Sequence, residues 1–107
     1  MIYFTSPNHY PPDTLFIMEQ GNRPIPNRLL MHRKLMQYTQ AQVAWLLDLH
    51  DTNPITEWEK GITIPNTANL AKLSAIYRTY PNELYQEYYA EMRKCIQQKE
   101  QELFIRE

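Results

Sequence analysis

Thr39 to Pro65 reads TQAQVAWLLDLHDTNPITEWEKGITIP, and this stretch decides the fold. Thr39 is a good N-cap, and Val43, Ala44 and Leu47 recur at the spacing of a helix with one buried side. The polar turn His50-Asp51-Thr52-Asn53 separates that helix from a second one. Pro54 suits a first helical turn, Asn53 can cap it, Ile55 and Trp58 point inward, and Gly61 supplies a left-handed exit. The stretch is therefore two short helices joined by a tight polar turn.

Working outward, a helix is expected from Asn27, a cap residue, to about Gln37, with Leu30, Met36 and Tyr38 on its inner side. Downstream, Asn66 or Thr67 caps a further helix carrying Leu70, Leu73, Ile76 and Tyr77 on one face. Pro81 interrupts the chain. Leu84, Tyr85, Tyr88, Tyr89, Met92, Cys95 and Ile96 then recur at spacings of three and four, a helical stripe. The stripe loses definition in the polar run Gln97 to Glu102, ahead of Leu103, Phe104 and Ile105.

Residues 1–26 hold five of the eight prolines (Pro7, Pro11, Pro12, Pro24 and Pro26) and no sustained period. Proline removes an amide donor and turns its predecessor away from helix, so an extended arm is expected there. Met1 to Thr5 and Leu15 to Met18 are short apolar runs within it, and Met18 is an alternative start. The division expected is thus an arm over 1–26, a helical domain over 27–86 and a helical extension over 87–107.

A chain of 107 residues is long enough for one self-sufficient core. Its single cysteine, Cys95, excludes an internal disulfide framework and suits a reducing compartment. No run approaches the roughly 18 apolar residues of a membrane span, and no secretory signal is visible. A cytoplasmic protein without membrane contact is the expectation. His9, His32 and His50 lack metal-ligand spacing, the only glycines are Gly21 and Gly61, and no nucleophile stands beside a base. Neither catalysis nor a cofactor nor a metal is expected. Tyr77, Tyr80, Tyr85, Tyr88 and Tyr89 suit helix packing or a partner surface better than base stacking.

The paired helices have the size and linkage of the unit that places a helix in the DNA major groove. The ordered set resembles the helix-turn-helix family of Xre, Cro and phage repressors over roughly Asn27 to Tyr85. It comprises Arg33, Thr39-Gln40, Val43-Ala44, Ile55-x-x-Trp58-Glu59-x-Gly61, Pro65, Leu70-x-x-Leu73 and Glu83-Leu84. The turn is similar to the longer-loop branch. The resemblance implies an all-α, compact four- to five-helix bundle of the lambda-repressor-like type, with a Pro-rich N-terminal arm and a C-terminal helical extension.

It also implies duplex-DNA binding by a transcriptional regulator, a repressor, acting as a dimer with the C-terminal helix as the natural contact. Thr39 and Gln40 would meet a backbone phosphate, Thr52, Asn53, Thr56 and Glu57 would lie at the bases, and Lys60 would reach phosphate beyond. Arg28, Arg33 and Lys34 are further candidates by charge, and Arg33 with Glu59 is expected as a structural ion pair.

Two positions depart from the family. Pro54 lacks a donor that many relatives have, and Glu57 stands where Arg or Gln is frequent. A carboxylate can accept from cytosine N4 but repels phosphate. Net charge is −1 overall. From 27 to 86, Arg28, Arg33, Lys34, Lys60, Lys72 and Arg78 face Asp48, Asp51, Glu57, Glu59 and Glu83. Affinity for DNA must then come from a few placed contacts and from dimerisation. The alternative reading is a protein-interaction or antitoxin-like module that keeps the scaffold with weak or lost DNA binding.

Overall fold

The computed structural model describes residues 23–106, and within them every regular element is helical. The helices are α1 (Leu29–Leu35), α2 (Gln40–Leu46), α3 (Asn53–Lys60), α4 (Thr67–Tyr77), α5 (Pro81–Leu84) and α6 (Gln86–Arg106). Pro24–Tyr88 make one compact unit, and the stretch from Tyr89 onward belongs to a second. The expectations for Met1 to Thr5, Leu15 to Met18, His9 and Gly21 fall outside the described residues. No helix among the described residues is long and apolar enough to cross a membrane.

Local chemistry sets the helix ends. Thr39 Oγ accepts from Gln42 N (3.1 Å) and Gln42 Oε1 accepts from Thr39 N (2.9 Å), a reciprocal capping box at α2. Asn66 Oδ1 accepts from Asn69 N (2.8 Å) at α4. Gly61, at φ 78°, ends α3. Three non-glycine residues take the same left-handed exit elsewhere: Gln37 after α1, Asp48 after α2 and Arg78 after α4.

One continuous core joins α1 to α5: Leu29, Val43, Ala44, Leu47, Ile55, Trp58, Leu73, Tyr77, Leu84 and Tyr85. Burying a side chain such as Val43, Ile55 or Leu84 stabilises the fold by about 1.5–3 kcal/mol. The Tyr85 and Tyr88 rings meet edge to face at 6.3 Å.

Several boundaries differ from expectation. α1 starts at Leu29 because Asn27 Oδ1 accepts from Leu29 N (3.0 Å), and that register buries Leu29 and exposes Leu30. Asn53 does not cap α3. Thr52 holds the N-cap position without a side-chain cap bond, and Asn53, already helical, donates its own N–H to Asp51 Oδ1 (2.9 Å). The compact unit opens at Pro24 rather than Asn27, since Ile25 N donates to Gly61 O (2.8 Å). α6 runs unbroken through Gln97 to Glu102, where straight-chain Gln, Lys and Glu have good helix propensity even without an apolar stripe.

Candidate nucleic-acid interface

α3 has two sides of opposite chemistry. Ile55 and Trp58 are buried in the core, while Asn53, Glu57 and Lys60 are exposed. Their spacing of four and three residues puts these three on one outward edge. Thr52, Pro54 and Thr56 beside them are half-buried. Neither Glu57 nor Lys60 is held in an ion pair with a described residue, so both charges face outward.

A chain of hydrogen bonds fixes that edge to the two preceding helices. Arg33 Nη1 donates to Tyr38 O (3.0 Å), and Arg33 grips Glu59 through Nε to Oε2 (2.6 Å) and Nη2 to Oε1 (3.2 Å). Glu59 Oε1 also accepts from Gln40 Nε2 (3.0 Å), and Gln40 Oε1 accepts from Thr56 Oγ (3.1 Å). The guanidinium and carboxylate are 12% and 7% exposed, so this bidentate pair is shielded from water. The Glu59 hydrogen bonds hold the Arg33 pKa above its ordinary value. Through these contacts α1, α2 and α3 share a single polar joint.

Gln40 therefore has a positioning role within the domain. One amide hydrogen and the carbonyl oxygen are engaged, and the second amide hydrogen is left for an outside acceptor. The Thr39 hydroxyl accepts in the capping box, with its own hydrogen still available to donate. Arg28 lies away from this edge, bonded to Glu83 (3.0 Å) and Glu87, and His32 Nε2 is 3.3 Å from Glu83. Lys34 is exposed on α1.

The far end of α3 is tied down by contacts that no local signal in the sequence announces. Asn27 Nδ2 reaches Ile25 O (3.0 Å) and, across to the last turn of α3, Trp58 O (3.1 Å) and Glu59 O (3.4 Å), adding a donor where a helix end is short of them. Gly61 fits closely against the same segment. A Cβ there would stand 2.5 Å from Ile25 O, and the backbone is left-handed besides, so two constraints demand glycine.

The outer side of α2 is the second unforeseen feature. Trp45 is 77% exposed and, with Tyr38, Ala41, Gln42 and Leu46, lines an open apolar groove of about 430 Å³. Among the described residues no group of His, Cys, Asp or Glu side chains is placed to hold a metal ion. No protein-family model, curated protein or solved structure matches the chain.

Proposed function

We propose that this chain binds double-stranded DNA with sequence preference, as a transcriptional regulator of the Xre/Cro helix-turn-helix kind, and represses as a dimer. One observation carries the reading: the outward edge of α3, Asn53-Glu57-Lys60, is held against α1 and α2 by the joint from Arg33 through Glu59 and Gln40 to Thr56. A helix that reads base edges must be held in a fixed pose, because base recognition depends on hydrogen-bond geometry of a few tenths of an ångström. In this reading Asn53 pairs with adenine, Glu57 accepts from cytosine N4, and Thr52 and Thr56 lie at the margin of the base contacts. Lys60, Thr39 and the remaining Gln40 amide hydrogen meet phosphate. The all-helical core around Ile55 and Trp58 is the lambda-repressor-like scaffold of the proposal.

Selection of bound duplexes from a random pool, followed by sequencing, tests it. The expected result is an enriched inverted repeat with half-sites about one helical turn apart. Absence of any enriched sequence, with no retention on duplex at low salt, overturns the reading.

A second reading has its own support. The exposed Trp45 groove gives α2 an apolar surface of a kind that marks protein partners. An interaction or antitoxin-like module would use that surface and need no DNA. Trp45→Ala distinguishes the two, since it leaves duplex selection unchanged under the first reading and abolishes partner-protein binding under the second.

A further inference from the structure

We infer that α6 pairs antiparallel with α6 of a second copy of this chain, along a seam of Tyr89, Ile96 and Leu103. The inference takes the dimer of the proposed function as its premise and gives that dimer an interface and a direction. Tyr89, Ile96 and Leu103 are 54%, 58% and 53% exposed, and they recur every seventh residue along one continuous helix. A seven-residue apolar repeat is the period at which one helix keeps a face turned toward another. Met92 falls beside the line at the intermediate position.

Charge selects the occupant and its direction. Arg93 and Glu100 lie on the same edge of the seam, also seven residues apart, and both are exposed. When two copies run antiparallel about a two-fold axis near Ile96, like edges face each other. Arg93 of each copy then lies opposite Glu100 of the other, giving two reciprocal ion pairs, as an isologous contact requires. A parallel pair would set Arg93 opposite Tyr88 and Glu100 opposite Cys95, with no opposite charges facing. Lys99 repeats the intermediate position of Met92 one heptad later, inside the seam, where its charge lowers affinity and disfavours slipped registers.

The test is sedimentation equilibrium of the full chain without DNA, with circular dichroism to check that each variant keeps its helix content. The unaltered chain is expected to dimerise. Arg93→Glu and Glu100→Arg, each alone, place like charges at both contacts and should raise the dissociation constant about tenfold. The double variant restores opposite charges and should return to within about threefold of the original. An equimolar mixture of the two single variants should associate as the unaltered chain does. The inference is overturned by a monomer persisting to about 200 μM, by single variants that associate normally, or by a double variant no better than the singles. Because the readout contains no DNA, a chain that passes this test yet selects no duplex overturns the DNA reading alone.

Discussion

Glu59 accepts hydrogen bonds from two different helices while almost wholly covered, and it is the residue on which the arrangement of α3 most depends. Replacing it by alanine strands the Arg33 guanidinium in a shielded site. Glu59→Ala is expected to destabilise the protein by about 3 kcal/mol in urea unfolding. Site preference among duplexes should be unchanged in the folded fraction, and an altered preference at normal stability would contradict a structural role. Tyr85 is the opposite case. Its hydroxyl is buried with no hydrogen-bond partner among the described residues, and burial, with Tyr88 alongside, pushes the phenol up to about 12. Tyr85→Phe removes an unsatisfied group at little cost in packing and should stabilise by about 1 kcal/mol. A loss of stability would mean that the hydroxyl finds a partner in solution.

At the scale of elements, the helix exits and the outer edge of α3 are separable. Gln37 closes α1 at φ 63°, a conformation that side chains other than glycine adopt at a cost. Gln37 is exposed, so Gln37→Gly relieves strain without removing packing. Glycine loses more entropy on folding, and the net expectation is a gain of about 0.5–1 kcal/mol in thermal unfolding. Under the proposed DNA reading, the edge of α3 is a matter of binding. Lys60→Ala should weaken every duplex alike and lower the slope of log affinity against log salt by about one for each chain bound. A change confined to one sequence would place Lys60 at a base instead of a phosphate.

For the whole molecule, stability should fall at both ends of the pH scale. Hydrogen bonds from His32 and Arg28 lower the Glu83 pKa, and one from Arg28 lowers that of Glu87. A lowered carboxylate favours folding above its ordinary value of 4.5, and that contribution is lost as pH falls through the lowered folded value. Tyr85 works with the opposite sign. Its neutral form is favoured in the fold, so its contribution holds below the ordinary value of 10 and is lost as pH rises toward about 12. Urea midpoints measured from pH 3 to 11 should fall at both limits, and Glu83→Gln with Glu87→Gln should flatten only the acid limb. The sequence by itself determined the parts governed by neighbours in the chain. Thr39 capping α2, Gly61 ending α3, a cap at Asn66 or Thr67 opening α4 and the inward faces of α2, α3 and α4 all depend on local residue types and spacings of three or four residues. The residue types of Arg33 and Glu59 let them be expected as a pair, although only the fold brings them together. The register that buries Leu29 instead of Leu30, the Gln40 link to Thr56 and Glu59, the Asn27 clasp on Trp58 and the exposure of Trp45 were decided by tertiary structure. Each depends on groups far apart in the chain, and no local period reports which distant carbonyl an amide will meet or which helix face stays uncovered once the core is filled.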